Sequence, residues 1–214
     1  MAVNASAVSP ATMRPGWLPA ALWTVALMSA LIGLYGLSYV TGRPAPPGPA
    51  ENAFGNGWLV VHAISAGAAL LLGPWQFVLT TPWRWRVAHR WLGRTYLVFC
   101  AIGGAVGLLL ATGSSAGIVA RAGFGLLAAS WLLTNAMGYR AARARDFQAH
   151  RRWMIRSFAL TFAAVTLRLY LVGAAIPGVG FQPLYVATSW ACWVPNLIVA
   201  ELWLRAHPRA ERAI

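Results

Sequence analysis

The sequence predicts an all-α protein, a polytopic membrane helix bundle of six transmembrane helices whose four-helix core (spans 2–5) is built as two repeated hairpins. Three observations carry this. Of 214 residues, 59% are hydrophobic and only 10% charged, where an ordinary soluble domain has about 25% charged residues. Six apolar runs reach the length of about 20 residues that a helix needs to cross a hydrocarbon layer roughly 30 Å thick. The cations gather between alternate runs, as they do around membrane spans. The mean hydropathy of +0.60 points the same way.

Span 1 covers residues 16–41, span 2 57–80, span 3 91–114, span 4 117–139, span 5 153–173 and span 6 184–203. Span 1 is too long for the apolar stretch of a signal peptide, and Tyr39-Val40-Thr41 does not resemble a cleavage site, so it is expected to remain as a helix. The stretch between spans 1 and 2 is rich in proline and glycine and reads as a linker. One integral membrane domain over residues 1–214 is expected. Trp17, Trp58, Trp83, Trp85, Trp91, Trp153 and Trp203 stand near span ends, where aromatic rings anchor at the interface.

All 17 basic residues are arginine, and the net charge is +13. Arg14, the arginines around the span 2–3 and 4–5 loops, and those of the tail put fourteen on one side. The positive-inside rule makes that side cytoplasmic, with both termini on it. Nucleic acid is excluded as a partner, because these cations punctuate apolar runs instead of forming a stripe on a soluble fold. The partner they imply is the lipid bilayer. Cys100 and Cys192 lie inside apolar runs and read as packing residues.

The segment beginning Ala88-His89-Arg90-Trp91 recurs as Ala149-His150-Arg151-Arg152-Trp153 with one arginine inserted. Upstream, Gln76 pairs with Asn135 and His62 with Arg121 at an offset of 59. Spans 2–3 and 4–5 therefore read as parallel repeats of one hairpin. At 3.6 residues per turn, span 5 aligns His150, Ser157, Thr161 and Arg168 on one stripe. Span 3 aligns His89, Gly93, Tyr96 and Cys100. Small and polar stripes of this kind turn toward neighbouring helices.

His89 and His150 stand at equivalent helix starts on the arginine-rich side. Two inward imidazoles facing each other can take the axial positions of one haem b, with Arg90, Arg94, Arg151 and Arg156 available to its propionates. A quinone or another metal would also suit them. The plainer alternative is that each His-Arg pair only anchors and caps a helix. On the outer side, His62, Arg121 and Arg168 fall at similar depth, and no acidic residue of the core is there to neutralise the two arginines. An anionic small-molecule donor or a quinone oxygen would supply the missing charge, unless both arginines snorkel to water. Glu201 in span 6 needs a cation, and Arg156, Arg94 or Arg205 could provide it. Asp146, Glu51, Glu211 and His207 carry no catalytic signal.

The stretches HAISAGAALLLGPWQF from His62, HRWLGR from His89, HRRWMIRSFALTFAAVTLRLY from His150 and WVPNLIVAE from Trp193 resemble the bacterial membrane proteins of domain-of-unknown-function family 2306, over about residues 57–205. That resemblance implies a multi-pass inner-membrane protein and brings no activity. More distantly, the histidine placement is similar to transmembrane ascorbate-dependent two-haem b-type cytochromes. His89 and His150 match their inner ligand pair and His62 one outer ligand, while Arg121 stands where the second outer histidine would be. The resemblance therefore implies one haem at most. Two functions follow: a cytochrome-like electron-transfer protein, or a non-enzymatic membrane protein such as an assembly factor, complex subunit or small-molecule binder.

Overall fold

The structure is a computed structural model that describes residues 18–42, 44, 51–78, 85–172 and 180–207. Among them every regular element is helical: α1 Leu18–Leu37, α2 Gly55–Val78, α3 Arg86–Thr112, α4 Gly117–Arg143, α5 Phe147–Thr161, α6 Ala163–Val172, α7 Phe181–Ala191 and α8 Val194–Ala206. A short 3₁₀ turn, Ser38–Thr41, finishes α1. Five stretches are long and apolar enough to cross a membrane, the fifth being α5 and α6 taken together over Phe147–Val172.

Helices α2 to α5 pack in sequence order, α2 on α3, α3 on α4 and α4 on α5, and α2 touches α5 to close the ring. Helix α1 lies against α2 from outside, while α7 covers α4 and α8 covers α5. The α1–α2 contact is close because small residues face each other. A Cβ on Gly36 would fall 2.8 Å from the Ala63 carbonyl oxygen, and one on Gly67 2.8 Å from that of Gly33. Without side chains there, the two backbones approach and gain dispersion contact that lipid would otherwise supply. Trp23, Ile118, Leu133, Leu169 and Val199 point outward and are exposed, as lipid-facing residues must be.

The sixth apolar run departs from expectation. It is not one helix over 184–203 but two, α7 and α8, parted at Cys192 and Trp193. Pro195, in the first turn of α8, has no N–H to give and would crowd the carbonyl four residues back, so α7 stops. Side chains of α6 and α8 then bond the backbone carbonyls across the gap. Thr166 Oγ1 donates to the Cys192 carbonyl, and Asn196 Nδ2 donates to Thr166 Oγ1 at 3.1 Å and to the Ala159 carbonyl at 3.3 Å. The partial break between α5 and α6 thus sits beside the break between α7 and α8. Broken backbone survives at such a place only because neighbouring side chains re-satisfy it.

A polar network holds the middle of the ring. Tyr96 Oη lies 2.8 Å from both Ser157 Oγ and Thr161 Oγ1, Trp131 Nε1 donates to Thr161 Oγ1 at 2.9 Å, and Ser157 Oγ donates to Asn135 Oδ1 at 3.0 Å. One proton ordering, from Trp131 through Thr161, Tyr96 and Ser157 to Asn135, uses each donor once. Asn135 Nδ2 then bonds the Trp131 carbonyl at 2.8 Å. Three helices, α3, α4 and α5, are joined with no polar atom of the network left open.

Between α4 and α5 the chain turns through Arg145 at φ 60°. Asp146 N–H bonds the Ala141 carbonyl and Arg145 N–H that of Ala142, the paired bonds of a Schellman stop. Asp146 then caps α5, its carboxylate accepting from Ala149 N–H at 2.9 Å. This turn fixes where His150 enters the bundle.

Candidate functional site

His150 lies in the first turn of α5 with Nδ1 2.9 Å from the Gly138 carbonyl of α4. A ring that donates from Nδ1 to a carbonyl keeps its lone pair on Nε2, the tautomer that suits a metal ligand. His89, one turn into α3, lies against the backbone carbonyl of Gln76 and within electrostatic reach of His150. The fold therefore puts the two histidines at the same end of the bundle, within electrostatic reach of each other. His89 Nδ1 is buried without a hydrogen-bond partner, and so is Gln76 Nε2. Gly93 makes room for the Gln76 side chain, since a Cβ there would meet Gln76 Oε1 at 3.2 Å. Each orphaned buried donor or acceptor costs about 1–3 kcal/mol. Two in one place mark a site with an unmet need for a partner.

The arginines around this pair divide. Arg156 is claimed by Glu201 of α8, with Nε donating to Oε1 and an Nη2 donating to Oε2 at 2.9 Å. The bidentate fork neutralises the Glu201 carboxylate of α8, and selects Arg156 from the three candidates for it. Arg94 stacks over Trp91, 5.2 Å from the ring centroid, and Arg156 over Trp153 at 5.0 Å. Arg90 is exposed and Arg151 is half-buried at the same end. Phe158 fills the space between α2 and α5: a Cβ on Gly73 would run into its ring, and Phe77 meets it edge-on at 5.5 Å.

At the opposite end the expected trio separates. His62 Nδ1 bonds the Gly103 carbonyl of α3 at 2.8 Å and the ring lies within electrostatic reach of Arg168. Arg121 is exposed, and its Nε bonds the carbonyl of Ser114, a residue before α4 begins, so its side chain runs outward from the helix. Arg168 does the reverse. Its Nη1 bonds the carbonyl of Ala164, four residues back on α6, at 2.8 Å, and so the side chain runs toward the bundle's middle. Its guanidinium lies over the Tyr35 ring at 5.3 Å. A charge within a span costs at least about 2.5 kcal/mol, and a cation–π contact returns only about 0.5–2. Tyr35 and Tyr39, whose hydroxyls lie 3.4 Å apart, come from α1 and its terminal turn. Sequence reasoning missed them because span 1 was read as outside the core.

Comparison with known proteins adds a family and nothing more specific. A profile described as "Predicted membrane protein (DUF2306)" matches residues 59–204. The chain belongs to that family. No curated protein matches it, and no solved structure does. The family region includes α2 to α8 nearly whole, and so contains His62, His89, His150, Arg168 and Glu201. It leaves out α1, which supplies the tyrosines beside Arg168. Among the described residues no three histidine, cysteine or carboxylate side chains gather as a metal-ion site. A haem asks for only two axial ligands.

Proposed function

We propose that this DUF2306 protein is a cytochrome-like electron-transfer protein of the bacterial inner membrane that carries one haem b at its arginine-rich end. The carrying observation is that His89 lies within electrostatic reach of His150 and that two buried polar atoms there, His89 Nδ1 and Gln76 Nε2, make no hydrogen bond. The donor set suits the group: His150 presents Nε2 as a free lone pair, and His89 retains an unpaired ring nitrogen. Bound there, haem would supply reversible one-electron chemistry.

The chain's own residues do the rest. The Gly138 carbonyl fixes the orientation and tautomer of His150. Gln76 offers an amide donor to whatever sits between the histidines. Arg90, Arg94 and Arg151 are the cations placed for propionates, while Arg156 serves α8 through Glu201. The fourteen-arginine side faces the cytoplasm, with α7 and α8 together forming the sixth crossing and the α2–α3 and α4–α5 hairpins repeating one design.

A second reading, a non-enzymatic binding or assembly protein, is favoured by the Phe158 ring packed over Gly73 between α2 and α5. One experiment separates the two. The full chain is purified in mild detergent from cells supplied with haem, and its dithionite-reduced minus oxidised spectrum is recorded. The cytochrome reading expects a Soret shift and a b-type α-band. A colourless protein overturns it.

A further inference from the structure

The outer end carries a cation, Arg168, that the fold half-buries and pairs with no carboxylate among the described residues. Of the four carboxylates, Glu51 accepts from Ser115, Asp146 caps α5 at the other end, and Glu201 holds Arg156. Glu211 lies outside the described residues. None is bonded to Arg168 among the described residues. Snorkelling does not answer the charge either. Arg168 could have extended past Val172 toward water as Arg121 extends past Gly117, but it bends back along α6 to the Ala164 carbonyl.

What surrounds it is a recognition set. Helix α1 contributes the Tyr35 face and the Tyr35–Tyr39 hydroxyl pair, and α2 contributes His62. With Nδ1 held by the Gly103 carbonyl, a neutral His62 keeps an acceptor on Nε2. An acceptor within electrostatic reach of a guanidinium suits a ligand that has both an anionic oxygen and a hydroxyl.

We infer that Arg168, His62 and the Tyr35–Tyr39 pair form a binding site at the outer end for a hydroxyl-bearing oxyanion. The shared chemistry is a phosphate with an adjacent O–H, met by a lipid headgroup such as phosphatidylglycerol or by free hydrogen phosphate. Arg121 is no part of it. This site is independent of the inner histidine pair, and its test does not require haem.

The test uses the full chain, delipidated in neutral detergent, with phosphatidylglycerol, phosphatidylcholine and hydrogen phosphate as probes. Binding is read by native mass spectrometry for the lipids and by the rise in melting temperature for all three. Phosphatidylglycerol or hydrogen phosphate should bind the wild type, with at least tenfold weaker binding in Arg168→Gln. His62→Gln should lose about threefold, and Arg121→Gln should match wild type. Arg168→Lys keeps the charge without the fork and should fall between, which preserves the test where Arg168→Gln does not fold. Binding of the lipid alone assigns the site to a headgroup, and competition by hydrogen phosphate assigns it to a soluble anion. Equal binding by wild type, Arg168→Lys and His62→Gln, or a loss in Arg121→Gln as large as in Arg168→Gln, overturns the inference.

Discussion

Tyr96 and His89 stand on the same face of α3 about two turns apart, yet their surroundings are opposite in kind. Around Tyr96, five side chains from three helices are joined so that each polar atom has a partner. Around His89, the ring Nδ1 and the Gln76 Nε2 are buried without a formed hydrogen bond, although the Gln76 carbonyl lies close to the ring. Both regions have polar residues inside an apolar bundle. A closed network joins helices and has no capacity left for a ligand, whereas an open one is stable only while something else makes up its cost. The difference distinguishes polar groups that hold the fold from polar groups kept for binding.

Breaking the closed region should cost most. Asn135→Leu keeps the volume but strips the acceptor from Ser157 and the donor from the Trp131 carbonyl. Unfolding in mixed micelles should show a loss of about 2–3 kcal/mol, near the top of the range for a buried group left unpaired. Arg156→Gln tests the pair that fastens α8. Its side chain is 17% exposed and that of Glu201 33%, so solvent screening trims the loss to about 1–2 kcal/mol. Glu201→Gln in the same chain should recover part of it.

Arg145→Gly lies in neither region and serves as the positive control. The turn holds Arg145 at φ 60°, which glycine adopts freely, so stability should rise by about 1 kcal/mol. The smallest change sharpens the comparison most. Gln76→Leu at the open end removes an amide that bonds nothing through Nε2 and should leave the ligand-free protein within about 0.5 kcal/mol of wild type. A loss comparable to Asn135→Leu would mean that the two regions are alike.

Much of this was readable in the residues. Period and composition located the first five spans to within about two turns, because a 20-residue apolar run has few alternatives in a bilayer. The stripes carrying Tyr96, Ser157, Thr161 and Asn135 did face inward, and Glu201 found a partner among the three expected. The break of the sixth run was not readable from its proline alone. Pro74 lies inside α2 and the helix continues, while Pro195 coincides with a stop whose bared carbonyl Thr166 can bond. That partner is long-range and leaves no local mark. Nor could depth alone tell Arg121 from Arg168, since direction depends on what packs beside each. Arg168 meets tyrosines of α1, whose position against α2 rests on the contacts of Gly33, Gly36 and Gly67.

The proposed haem belongs to the open end of the bundle and not to the outer one. Its most direct test is the haem content per chain of the purified wild type, His89→Ala, His150→Ala and His62→Ala, assayed together by pyridine haemochrome. The account predicts close to one haem b in the wild type and in His62→Ala, and almost none in the two inner variants. No haem in the wild type, or a loss in His62→Ala equal to that in His89→Ala, would contradict it.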